Sequence, residues 1–210
     1  MRVREPAVSI ASYALFGLWL LGGIPLEAAT ITGQVADQEG KTGVSNAVIW
    51  AELPGEPPSF PPPPEPAVMA QTTMTFVPHV LPILAGTTVD FPNQDTVYHN
   101  VYSLSRRQRF DIGLYRPGES RSMTFHEPGL IKVFCNIHDF MGAFMRVLSS
   151  PYFTVTGAKG EYTMVNIPPG RYTVKVWHAK LVGDPREVTL TGSAVERVFF
   201  ALSPRKGRME

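Results

Sequence analysis

The stretch Cys135-Asn136-Ile137-His138-Asp139-Phe140-Met141 sets a thiol, an imidazole and a thioether in one short loop. Cys135 is the only cysteine among 210 residues. Donors of this kind act together only when a rigid frame fixes the loop and a further ligand arrives from elsewhere in the chain. The fold must therefore join segments that are distant in sequence. His99, in Tyr98-His99-Asn100, is the candidate from outside the loop.

The frame reads as β. Hydrophobic residues make up 44% of the chain and charged residues 18%, enough apolar material for a real core. Proline (20) and glycine (18) are abundant, as in a turn-rich β protein. Alternation predicts strands over 29–36, 47–53, 86–91, 99–104, 122–126, 130–134 and 143–148. In the strand from His99, residues Asn100, Tyr102 and Leu104 are expected on the face opposite the histidine. Residues 74–84 read as extended despite Pro78 and Pro82. Arg106, Arg107 and Arg109 form a basic loop, and 113–120 read as irregular. Past Pro151, a Gly160-Glu161-Tyr162 run and Pro168-Pro169-Gly170-Arg171-Tyr172-Thr173-Val174 predict hairpins. Strands over 188–190 and 195–202 close the chain.

The first residues read as an export signal. Arg2 and Arg4 precede a short apolar run over 13–21, and Ala28 and Ala29 offer a cleavage point, with Glu27 close to it. Periplasmic or other export follows. An uncleaved anchor is the alternative, and only that form would associate with a membrane surface. A net charge of +1 argues against a nucleic-acid partner. Residues 54–66, centred on Pro61-Pro62-Pro63-Pro64, read as a semi-rigid spacer, with a proline-motif ligand as the alternative.

In an oxidising compartment a lone thiol is exposed to oxidation unless it is buried or metal-bound. Thiolate and thioether sulfur suit Cu(I), and imidazole suits both oxidation states of copper. Zinc is the rival ion, and methionine is an unusual ligand for it. Singly, Cys135, His99 and Met141 would be a buried apolar thiol, a turn histidine and core filler. Together they point to copper. His79, His126 and His178 read as surface or strand residues. With no His-x-His pair, neither multicopper-oxidase nor nitrite-reductase chemistry is expected, and no hydrolase, P-loop or dinucleotide signature is present.

Several runs carry a family resemblance. Phe76-Val77-Pro78, Gly86-Thr87-Thr88-Val89-Asp90-Phe91-Pro92-Asn93-Gln94-Asp95, His99-Asn100-Val101 and Val133-Phe134-Cys135 through Met141 resemble the cupredoxins, the blue-copper proteins such as plastocyanin and amicyanin. The short ligand loop is closest to amicyanin. The resemblance implies His99, Cys135 and His138 as strong ligands, Met141 as a weak axial one, and Asn100 as a tie between the His99 strand and the loop. It also implies a redox-partner surface around His138, with Pro92, Ile137, Phe140 and Met145 as the apolar candidates. Asp139 departs from amicyanin, which has proline there. Arg106, Arg107 and Arg109 either steer an acidic partner or are an ordinary solvated loop.

A second resemblance lies on both sides. Ile31-Thr32-Gly33-Gln34-Val35-Ala36-Asp37 and Asn46-Ala47-Val48-Ile49-Trp50, with the Tyr162 and Tyr172 runs, resemble the two halves of a carboxypeptidase-regulatory-like domain, a small transthyretin-like β-sandwich. The expectation is an all-β chain. Residues 1–28 are the signal, 29–53 plus 151–203 a discontinuous sandwich, 54–66 a linker, and 67–149 a Greek-key cupredoxin domain inserted in or attached to that sandwich. The expected function is a one-electron carrier that is not an enzyme, working between redox proteins such as a cytochrome or dehydrogenase. A copper-delivery protein and an adhesion or interaction module with a copper domain are the alternatives.

Overall fold

A computed structural model describes residues 28–55, 58–106 and 108–206. The expected signal over 1–28 lies almost wholly outside these residues, as does Arg107. Among the described residues the regular structure is entirely β. Two strands open the chain, β1 (Ala29–Asp37) and β2 (Val48–Glu52). Ten follow: β3 (Ala67–Val68), β4 (Ala70–Thr72), β5 (Thr75–Val77), β6 (Val80–Leu84), β7 (Thr87–Pro92), β8 (His99–Ser103), β9 (Phe110–Tyr115), β10 (Ser120–Phe125), β11 (Gly129–Phe134) and β12 (Gly142–Leu148). The last seven are β13 (Phe153–Val155), β14 (Glu161–Ile167), β15 (Gly170–Trp177), β16 (Leu181–Val182), β17 (Arg186–Leu190), β18 (Val195–Arg197) and β19 (Phe200–Pro204).

The middle ten strands pair among themselves. One sheet has the order β6-β12-β11-β8-β9 and faces a smaller sheet, β10-β7-β3, while β4 and β5 form a hairpin at the edge. Inward residues of the two sheets fill one core, with Phe91, Phe125, Tyr115, Ile131 and Met145 at its centre. Alternation explains this: in β12, Ala143, Met145 and Val147 point inward.

β1 and β2 pair only with strands that follow Pro151. The order β14-β1-β19-β16 makes one sheet, with β18 also on β1, and β13-β2-β15-β17 makes the other. Their inner faces enclose a second core that includes Ile31, Ile49, Tyr172, Val174 and Phe200. Gly33 is required where β1 meets the chain before β19, because a Cβ there would strike the carbonyl oxygen of Val198.

β2 is apolar on both faces, which alternation alone would not demand of a sheet with one side in water. Ile49 and Ala51 face their own core, whereas Val48 and Trp50 face the middle strands. There they meet Val80, Leu148 and Trp177, with Phe144 packed alongside. The Phe144 and Trp177 rings meet edge-on at 5.3 Å. The two sandwiches are thus joined by a third, smaller apolar cluster. Residues 61–66 of the proline-rich segment are exposed and outside any strand, and half-buried Phe60 has its ring 6.1 Å from that of Tyr152.

One expected irregular stretch is corrected. Of the expected irregular residues 113–120, 113–115 belong to strand β9, paired with β8, and Ser120 opens β10, while 116–119 lie outside any strand. The alternation of β9 is broken by Gly113 at φ +73° and by a register shift between Asn100 and Tyr102 on the partner strand. A bulged edge strand of this kind carries little periodic signal.

Candidate metal centre

Three elements build the centre. His99 is the first residue of β8, Cys135 follows the last residue of β11, and His138 and Met141 lie in the loop between β11 and β12. The loop is held short by two backbone bonds: Met141 N–H donates to the His138 carbonyl at 2.9 Å, and Cys135 N–H to that of Met141 at 3.4 Å.

The donor atoms converge. Cys135 Sγ lies 3.8 Å from His99 Nδ1 and 3.8 Å from His138 Nδ1, and the two nitrogens are 3.1 Å apart. A triangle with these sides has its centre about 2.1 Å from each corner, which is the length of a bond from a first-row metal ion to imidazole or thiolate, about 2.0–2.3 Å. One metal ion would fit among the three donors, and a thiolate with two imidazoles is a donor set that copper takes in both oxidation states. Among the described residues this is the one group of three such side chains with ligand atoms within 4.8 Å of one another. Cys135 and His99 are buried and His138 is half-buried. Met141, 1% exposed, is in the same core.

The supporting groups orient the donors. His99 Nε2–H donates to Asp95 Oδ2 at 2.8 Å, which leaves the Nδ1 lone pair facing Cys135 and His138. Burial opposes the charge on Asp95, but the Met74 amide, His99 and the Thr73 amide outweigh it and hold the carboxyl below the usual carboxylate range. The Met74 N–H bond measures 2.8 Å. Thr73 and Met74 both adopt left-handed backbone, at φ +48° and +53°, so the β4–β5 turn aims both amides at one carboxylate. Asn93 shapes the loop from the other side, its Oδ1 accepting from Asp95 N–H at 3.0 Å and its Nδ2 donating to Val97 at 2.9 Å.

Asn100 joins three segments. Its Oδ1 accepts from Asn136 N–H at 2.7 Å, and its Nδ2 donates to Asp111 Oδ1 at 3.2 Å. It therefore ties the His99 strand to the ligand loop and to β9. His99 and Asn100 were expected on opposite faces, and both are buried, because the ligand loop covers the second face at this end of the sheet.

The surface around His138 differs from the expected one. Phe140 and Ile137 are exposed, at 68% and 49%, and the Phe140 ring lies 6.0 Å from that of His138. Met145 is completely buried in the core and does not belong to this surface. The period of β12 turns it inward with Ala143 and Val147. Pro92 is half-buried. Met74, Val97 and Tyr98 are exposed on the loops that carry Asp95 and precede His99. His79 and His126 are exposed, and His178 is half-buried.

Sequence reasoning missed Asp95 and Asn93, because a Pro92-Asn93-Gln94-Asp95 turn does not reveal where its side chains point. The available signal was the spacing of four between a carboxylate and a ligand histidine.

Residues 66–148 match the family of copper binding proteins, plastocyanin/azurin family. That segment is a cupredoxin domain, and the ion its donors suit is copper. The matched segment is about two fifths of the chain. Solved structures resembling it include a copper-containing nitrite reductase from Thermus scotoductus SA-01, with 28% identity and a TM-score of 0.40 over 42% of this chain and 23% of that one. A purple cupredoxin from Nitrosopumilus maritimus has 26% identity and a TM-score of 0.36, over 39% of this chain and 99% of that one. An oxidised single-site variant of amicyanin has 23% identity and a TM-score of 0.38, over 40% of this chain and 82% of that one. The chain spans about a quarter of the nitrite reductase's length. No curated protein matches the chain.

Proposed function

We propose that the chain is an exported type 1 copper protein that passes single electrons between larger redox proteins, and that it is not itself an enzyme. The observation that carries this reading is the triangle of His99 Nδ1, Cys135 Sγ and His138 Nδ1 at one end of a closed core. Copper held there supplies a one-electron change between Cu(II) and Cu(I). The two imidazoles and the thiolate suit both states. Asp95 and Asn100 fix the direction of two of the segments that carry them, so the donors need little rearrangement when the charge changes. Met141, buried in the same core, would supply the weak thioether ligand.

Half-buried His138, ringed by Phe140 and Ile137, gives a partner an apolar approach to the site. A cytochrome or a dehydrogenase is the class of partner this suits. Residues 1–28 direct the chain to the periplasm, and β1, β2 and β13–β19 form the carboxypeptidase-regulatory-like sandwich. Voltammetry of the copper-loaded protein tests the carrier role. A reversible one-electron wave, with copper retained through repeated cycles in the presence of a Cu(I) chelator, is the expected result. Loss of the ion to the chelator on the first reduction would mark a delivery protein instead.

A further inference from the structure

A second concave site among the described residues is lined by none of the metal-centre residues. It is an open groove of about 910 Å3 where the two sandwiches meet. Arg106, Lys132 and Arg146 line it, with Glu52 as its acid and Leu104 and Phe134 among its apolar residues. Arg106 and Arg146 thus face one carboxylate, and that carboxylate is already engaged. Glu52 Oε2 accepts from Lys175 Nζ at 2.6 Å, and Glu52 Oε1 from Trp50 Nε1 at 2.5 Å.

Arg146 is fixed in place at this groove. Its guanidinium lies 4.9 Å from the centre of the Trp50 ring, an arrangement that fixes the plane of the group. Its Nε is buried and has no hydrogen-bond partner among the described residues. Burial works against its charge, with Glu52 giving partial relief. Arg106 is exposed in the loop after β8, and Leu104 beside it is 62% exposed.

We propose that this groove docks an acidic segment of a partner protein, with Arg106 and Arg146 pairing to its carboxylates and Leu104 and Phe134 receiving an apolar side chain. The two arginines come from separate segments, the loop after β8 and β12, and Leu104 and Phe134 line the same groove. A chain of alternating character fits that pattern, whereas a single small anion needs donors gathered at one point. A volume of about 910 Å3 also far exceeds one inorganic anion. Trp50 and Glu52 both come from β2, so the groove is complete only when the two sandwiches are joined, and the flanking sandwich thereby gains a part in recognition. The proposal does not rest on the copper reading.

The test uses the full chain and a fluorescent peptide of alternating glutamate and leucine, followed by anisotropy. A glutamine–leucine peptide and inorganic phosphate are the controls. The glutamate peptide binds and the glutamine peptide does not. Raising ionic strength from about 0.01 to about 0.15 M, which shortens the screening length from about 30 to about 8 Å, weakens binding by about tenfold. Arg106→Glu weakens it by about fivefold or more with the thermal midpoint unchanged, and Arg146→Gln weakens it further. Absence of binding at low salt, equal binding of the glutamine peptide, or no effect of Arg106→Glu overturns the proposal. Phosphate that displaces the peptide at equal affinity also overturns it, in favour of a small-anion site.

Discussion

The two sandwiches have similar apolar cores and very different buried polar groups. The copper domain encloses Gln71, Thr87, Asn93, His99, Asn100 and Ser103, whereas Ser150 and Thr156 are the buried polar side chains of the flanking one among the described residues. Those two serve the backbone. Ser150 Oγ–H donates to the Ala51 carbonyl at 2.6 Å; Thr156 Oγ1–H donates to that of Val44 at 2.7 Å and accepts from Ala47 N–H at 3.0 Å. In the copper domain several of the buried polar groups instead lead toward the donor atoms. Asn93 shapes the loop that carries Asp95, Asp95 holds His99, and Asn100 holds Asn136. A polar group in a low-dielectric core costs stability unless it is paired. Polar pairing that reaches the convergent donors positions a metal site, and polar pairing that ends on the backbone supports architecture.

The largest expected effect lies in what the two regions share. Phe91→Ala, in the centre of the copper-domain core, should cost about 3–5 kcal/mol in denaturant unfolding. A loss under about 1 kcal/mol would show that this core is not close-packed. The next effect separates the regions. Asp95→Ala should lower copper affinity by about 10–100-fold in a competition titration while the chain stays folded, because His99 loses the group that fixes its ring. Thr156→Val should do the opposite, costing about 1–2 kcal/mol in stability with copper affinity unchanged. If Thr156→Val weakened copper binding as much as Asp95→Ala, the contrast between the regions would be broken.

The smallest effect concerns the join. Burial opposes the charge on Glu52, but Lys175 and Trp50 outweigh it and hold its carboxyl below the usual range. The folded-state value is depressed, so this contribution is complete above the unfolded value and is lost as pH falls through the folded one. Glu52 is partly exposed, so the change is small. Comparing thermal midpoints of the parent and Glu52→Gln at neutral and acid pH should show the gap narrowing on the acid side. A gap that widens there would reverse the sign.

Much of this was legible in the chain itself. The ligand loop could be read because its donors are close in sequence, and the strand of His99 because a histidine beside asparagine opens a clear alternating run. The position of β1 and β2 beside strands more than a hundred residues later is a matter of pairing, and only the sequence likeness of the two flanking segments hinted at it. What stayed hidden depended on direction. Met145 looked available to a surface because nothing local says which face of β12 points inward. Asp95 looked like a turn residue because its role depends on the β4–β5 turn, which is distant in sequence and built on two left-handed residues that no glycine announces. β9 was lost to its own bulge.

The central claim is that Cys135, His99 and His138 together hold one copper ion through a thiolate. Titrating the protein with Cu(II) while recording the visible spectrum tests it most directly. An intense thiolate-to-copper band that saturates at one ion per chain and vanishes in Cys135→Ser is the predicted result. A colourless protein that binds Cu(II) equally well with and without the thiol would contradict it.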